Sequence, residues 1–512
     1  MTENGIYIIL TIGLYLLGML LIGVYYSKKT SNSSDFYLGG RTLGPFVTAM
    51  SAEASDMSSW LLMGLPGLAY LTGVANAAWT GIGLAIGTYV NWLVVAKRIR
   101  TYSHHLDAIT IPDFFSKRYH DDKNIINFVS AVIIIIFFIP YTASGFAACG
   151  KLFSSLFGVD YFVAMIISAA VIVGYTTLGG FLAASTTDLV QSVIMTMALV
   201  VIMTFGISKA GGIGAVVENA NNLAGYFSLV TSHLPETGGI EYYNIFSTVS
   251  TLAWGLGYFG MPHILLRFMA IQDKQKLSLS RRIATIWVLI SLTVAILIGI
   301  VGNAMTANGV IDTLESSKSE TIIIEIASLL SNHGILAALI AGLILAGILA
   351  ATMSTADSQL LAASSSVSQN IFQDFFKIKM DEKKSMLISR LTVVFISLIG
   401  IIIAYNPDSS VFEIVSFAWA GFGATFAPVV LCALFWRRSN KTGVLAGMFV
   451  GAVTIFVWKY AIRPMGGFWD VYELLPAFVL AMLTIVCVSL MTASPSKAIQ
   501  DEFDDYVINI HE

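Results

Sequence analysis

Residues 50–67 read Met50-Ser51-Ala52-Glu53-Ala54-Ser55-Asp56-Met57-Ser58-Ser59-Trp60-Leu61-Leu62-Met63-Gly64-Leu65-Pro66-Gly67. Two carboxylates and four serines sit inside a run that is otherwise apolar and long enough to cross a bilayer. A carboxylate at the centre of a membrane helix costs about 2.5 to 3.5 kcal/mol on insertion scales, so such residues are functional by default. With Gly64, Pro66 and Gly67 following, the pattern predicts a helix unwound in mid-membrane, whose freed carbonyls suit a cation. A polar patch packed inside a bundle by interhelical hydrogen bonds is the other reading. It too must accommodate both acids.

Working outward, the 512 residues are 56% hydrophobic and only 12% charged, a balance no soluble domain could bury. Apolar runs recur along nearly the whole length. Thirteen spans are expected, at 6–27, 45–73, 74–96, 125–150, 159–180, 184–208, 244–272, 283–307, 335–368, 386–405, 410–436, 443–462 and 473–492. The first is too long for a signal-peptide core and lacks a small-residue cleavage site, which predicts a retained helix. With the N-terminus outside, 23 of the 28 Lys and Arg fall in inner loops and 5 in outer ones, as the positive-inside rule asks. The expectation is a multi-pass inner-membrane protein with its C-terminus in the cytoplasm.

A second interruption, Trp254-Gly-Leu-Gly-Tyr258-Phe-Gly-Met-Pro262, falls five spans after the first. Two broken helices, each first in a set of five, are the footprint of inverted repeats around a midplane site. Residues 45–208 and 244–436 are the expected repeats, with 1–44 before them and an outer loop at 209–243 between. Two helices at 437–492 and an acidic cytoplasmic tail at 493–512 follow. The outer loops 209–243 and 308–334 are each expected to hold a short surface helix. The inner stretch Ile111-Pro-Asp-Phe-Phe115 is expected as an amphipathic turn at the headgroups, with His104 and His105 in a solvated loop.

In span 9, Ser354, Asp357 and Ser358 share one helical face, and Asp188 near the inner end of span 6 is expected at the same depth. Hard oxygen donors without His or Cys suit Na⁺ and argue against zinc or copper. Cys149, Cys432 and Cys487 lack metal or redox spacing and are expected as small core residues. Scattered basic residues without interleaved aromatics exclude nucleic-acid binding. Neither H-E-x-x-H nor G-x-S-x-G occurs, and the buried acids have no paired His base, so no enzyme is expected.

Several segments together resemble the sodium:solute symporter family, the sodium/proline symporters most closely. They are Leu38-Gly-Gly-Arg-Thr-Leu-Gly-Pro-Phe, Ser55-Asp-Met-Ser with Trp60-Leu-Leu-Met-Gly-Leu-Pro-Gly, Ile111-Pro-Asp-Phe-Phe, Gly179-Gly-Phe-Leu-Ala, Trp254-Gly-Leu-Gly-Tyr-Phe-Gly with Pro262-His-Ile-Leu, and Met353-Ser-Thr with Gln359-Leu-Leu. The resemblance spans about residues 5–490. It implies an all-α membrane protein of thirteen helices with a leucine-transporter-like 5+5 inverted-repeat core, carrying proline or a similar small solute inward on a Na⁺ gradient by alternating access.

The resemblance also implies a sodium site from the carbonyls of Ala54, Met57 and Ala351 and the hydroxyls of Ser354 and Thr355, supported by Asp56. Asp188, Asp357 and Ser358, with Ser354, would serve a second ion in some relatives. Ser58, Tyr141, Trp254, Tyr258 and Pro262 would line the substrate pocket, with Ser59 beside it. The family pattern has glycine where this chain has Glu53 and Ser59, which implies an altered charge near the ion and altered selectivity. A proton-coupled carrier, suggested by Glu53 and Asp357, and a non-transporting solute receptor are the alternative functions.

Overall fold

The computed structural model describes residues 3–28 and 33–511; Lys29, counted to the inner side, lies outside them. Among the described residues ten helices are long and apolar enough to cross a membrane. The other three expected spans are interrupted or joined. Span 2 is a helix Pro45–Ser59, a wide π turn Trp60–Gly64 and a helix Leu65–Thr72. Span 7 is a helix Ile245–Leu252, a tight 3-10 stretch Ala253–Gly260 and a helix Pro262–Ala270. Spans 5 and 6, expected as separate, run as one element Tyr161–Lys209, broken only at Gly180 (φ 69°, ψ −178°). Glycine alone adopts that conformation freely.

The break in span 2 comes later than its acids suggest. Residues up to Met57 remain helical, and the chain turns at Ser58 (φ 48°, ψ −170°). A non-glycine residue at positive φ is strained and persists only where its surroundings hold it. In span 7 the glycines permit close approach: Gly255 lies against the backbone of Gly83 and Gly87 of span 3. Small residues at such a crossing let helices pack without bulk between them.

Both long loops expected on the outer side carry the expected short helices, Ile213–Asn222 and Ile322–Ser331. The first also carries an antiparallel hairpin, Thr231–Leu234 with Gly239–Tyr242, which was not expected. Buried Lys151 bonds Glu320 at 2.7 Å, and Glu320 accepts from the amides of Val411 and Phe412. The outer loop is thereby pinned to the start of span 11.

On the inner side two expectations change. Helix Ile111–Arg118 is buried against the bundle, with Phe115 against Phe426, so its apolar face meets protein and not headgroups; His104 and His105 are exposed as expected, but in the last turn of the helix Ala96–His105 and not in a loop. The acidic tail forms a helix, Lys497–His511. Its Phe503, Tyr506 and Ile510 are buried, Tyr506 stacks on Tyr102 at 4.0 Å, and Asp504 pairs with Arg437. Apolar residues at the helical spacing of 503, 506 and 510 give it a docking face despite its charge. Cys149 and Cys432 are buried, but Cys487 is exposed on the apolar surface of the last span.

Candidate ion and substrate site

Spans 2 and 9 meet where the sodium ligands were expected. Ser354 Oγ lies 2.9 Å from the Ala54 carbonyl oxygen and 3.1 Å from that of Ala351. Thr355 Oγ1 lies 3.2 Å from the Ala351 oxygen. The Met57 carbonyl accepts the Trp60 N–H at the break. All five residues are buried. Carbonyls and hydroxyls of this kind form a hard, neutral donor set that fits a monovalent cation. The hydroxyls now spend their protons on carbonyls, and a cation would turn their lone pairs inward.

Asp56 joins the two interrupted helices. Its Oδ2 accepts from the Tyr258 hydroxyl at 2.6 Å, and its carbonyl accepts from the Tyr141 hydroxyl at 3.0 Å. Oδ1 has no partner among the described residues. Above them Trp254 packs 5.6 Å from Trp60, 5.5 Å from Phe412 and 5.2 Å from Tyr472, while Trp419 donates to the Trp254 carbonyl. Pro262 opens the second half of span 7, where its missing N–H costs nothing. Ser58 Oγ accepts from the Trp60 N–H. Ser59 is buried, and its hydroxyl has no partner among the described residues.

The second group of acids does not stand alone. Arg267, in the expected span 244–272 and counted from the sequence to its inner end, is 1% exposed. It donates to Asp188 at 3.1 Å, to Ser51 at 3.0 Å, to the His263 carbonyl at 2.9 Å and to Ser358, and its guanidinium lies over the Phe181 ring. Ser51 also donates to Asp188 at 2.6 Å. Asp188, Ser358 and Asp357 do converge at one depth, Ser358 bonding Asp357. The charge opposite Asp188, however, is a guanidinium.

The family description of the sodium:solute symporters matches residues 36–451. The chain belongs to the sodium:solute symporter family. Its relatives include the osmoregulated proline transporter OpuE of Bacillus subtilis, 42% identical over 96% of both chains, and a sodium/proline symporter of Haemophilus influenzae, 42% identical over 97% of both. Among solved structures, a Na⁺-coupled sialic acid symporter superposes with a TM-score of 0.78 at 17% identity, covering 97% of this chain and 100% of the other. MhsT bound to L-phenylalanine gives 0.52 at 12% identity, over 88% and 98%. These two likenesses carry the fold alone: an all-α bundle of the leucine-transporter type.

Glu53, where the resemblance led us to expect glycine, is held by the neighbouring span 3. Its Oε1 accepts from Thr88 Oγ1 at 3.0 Å and Trp92 Nε1 at 2.8 Å, tying span 2 to span 3. On that same face Asn91 donates to the Tyr258 carbonyl. Reading the sequence missed Thr88, Asn91, Trp92 and Arg267. Only Arg267 carried a signal: it follows His263 by four residues, on the polar stripe of an otherwise apolar half-helix.

Proposed function

We propose that this symporter couples the entry of one Na⁺ to the entry of one proline across the inner membrane. It crosses thirteen times, with the N-terminus outside, the C-terminus in the cytoplasm, and repeats at 45–208 and 244–436. The carrying observation is the Tyr258–Asp56 hydrogen bond, which links the two broken helices beside the expected ion site. The names of the relatives, all at about 40% identity, support proline. The lysine and arginine asymmetry supports the orientation.

The cation would be held by Ala54, Met57, Ala351, Ser354 and Thr355. Drawing the Ala54 and Met57 carbonyls together steadies the strained turn at Ser58, and with it Asp56. Asp56 then holds Tyr258 and Tyr141, which with Trp254, Ser58 and Pro262 form a compact, aromatic-walled pocket with polar atoms for an amino-acid headgroup. Each ligand thus favours the arrangement the other binds, which is the requirement for coupling. A tenfold Na⁺ gradient supplies about 1.4 kcal/mol and 100 mV adds about 2.3 kcal/mol, enough for a few-hundredfold accumulation. Arg267 opposite Asp188 supports a structural role for the Asp188 group and a single coupled ion.

Equilibrium binding of labelled proline to purified protein tests this reading. Binding should need Na⁺, fail with K⁺ or choline, and weaken at least tenfold in Asp56→Asn. Equal binding in all three salts would overturn sodium coupling, and Na⁺-dependent binding of another amino acid in its place would overturn proline.

A further inference from the structure

A groove of about 570 Å³ runs between the span-3 helix Val74–Val90 and the span-8 helix Leu277–Ala307. Gly81, Ala85 and Tyr89 line one wall and Thr285, Leu289 and Ile296 the other. Steps of four residues on span 3, and of four and then seven on span 8, keep these positions along one face of each helix. From Thr285 to Ile296 the groove rises roughly 16 Å, about half of a hydrocarbon core of roughly 30 Å. Its rim is exposed and apolar, with Ile86 at 56% and Leu289 at 49%, as befits a surface bathed in acyl chains.

One end of this apolar channel is not apolar. Arg281, one turn before Thr285, holds its guanidinium 5.4 Å from the centre of the Tyr89 ring. Its Nε is buried without a hydrogen-bond partner among the described residues, and so is Thr285 Oγ1. Arg282, next to it, is exposed. A desolvated guanidinium N–H and an idle hydroxyl, at the mouth of a chain-shaped groove, lack only an acceptor with several oxygens and a negative charge.

We propose that this groove is a binding site for an anionic phospholipid. Its phosphate accepts from Arg281 and Thr285 and one acyl chain lies between spans 3 and 8. The site rests on the orientation proposed above, which puts Arg281 at the inner leaflet, where anionic headgroups gather near basic residues. It also has a mechanical consequence. On the neighbouring face of the same span-3 helix, Gly83 and Gly87 touch the backbone of Leu252 and Gly255 in broken span 7. A lipid seated in the groove therefore braces the helix against which the interrupted segment packs.

Native mass spectrometry of the purified full chain, with phosphatidylglycerol or phosphatidylethanolamine as the added lipid, reads this site without reference to transport. The wild type should retain one phosphatidylglycerol in preference to phosphatidylethanolamine by about fivefold, the attraction of one arginine for an anionic lipid. Arg281→Gln should abolish that preference, Arg281→Lys should keep it in part, and Ala85→Phe, which fills the groove, should release the lipid with the charge intact. Equal retention of the two lipids by the wild type would overturn the site. So would loss in Arg281→Gln without loss in Ala85→Phe, or displacement of the lipid by inorganic phosphate alone, which would mark a small-anion contact. Failure of proline binding with lipid retention intact would instead count against the proposed function and leave this site standing.

Discussion

At the scale of single residues, the proposed mechanism has Asp56 transmit the ion's presence to the substrate through Tyr258 and Tyr141, and these partners set how large the effects should be. Removing a hydrogen bond to a charged group costs about 1.5 to 3 kcal/mol. Tyr258→Phe should therefore raise the half-saturating Na⁺ for proline uptake by tenfold or more, and Asp56→Asn by at least as much. Glu53 bonds Thr88 and Trp92 of span 3, so Glu53→Gln should keep transport close to wild type, whereas Glu53→Gly should lower thermal stability. A stability assay run beside uptake separates the two effects. Ser59 is buried with no partner for its hydroxyl among the described residues, and the proposed pocket gives it a part in selectivity. Ser59→Gly should change the ranking of competing amino acids more than it changes Na⁺ dependence, as competition against labelled proline would reveal.

At the scale of elements, the two interruptions were legible in the sequence, because glycine, proline and carboxylates are all costly in a continuous membrane helix and their clustering marks where it breaks. That the chain turns at Ser58 instead of at the acids was not legible. Met50 to Met57 stay helical because their polar groups find partners on other spans: Ser51 on Asp188 and Glu53 on span 3. Such partners are remote in sequence and leave no local pattern. The pairing of Arg267 was missed for the same reason, since a basic residue near the inner end of a span reads as facing water until Asp188 is seen beside it. Breaking a buried ion pair from one side costs roughly 3 to 5 kcal/mol, whereas replacing both partners by apolar groups is often nearly neutral. Arg267→Met should accordingly reduce the yield of folded protein sharply, and Arg267→Met with Asp188→Leu should recover much of it. If the double variant folds no better than the single one, the pair is not what Arg267 contributes.

At the scale of the whole molecule, ten helices among the described residues are long and apolar enough to cross a membrane, one of them the second half of the helix bent at Gly180, and two further spans are broken. Helix count, repeats and sidedness were all argued from apolar runs and loop charge. What composition concealed was how the ends are covered. The outer loop is tied down through Glu320 and the acidic C-terminal segment docks as a helix by three apolar side chains, because neither fold-back changes the hydropathy of the chain. A single cysteine placed at Asn4 should react with an impermeant reagent added outside intact cells, and one at Asp501 only after permeabilisation; the reverse would invert the proposed orientation. Coupled transport itself remains the most direct test. In proteoliposomes with an inward Na⁺ gradient and an inside-negative potential, labelled proline should accumulate above its outside concentration, collapse when Na⁺ is replaced by K⁺, and fail to accumulate with Asp56→Asn. Proline entry that merely equilibrates, or that is unchanged without Na⁺ or without Asp56, would contradict a sodium-coupled proline symporter built around these two broken helices.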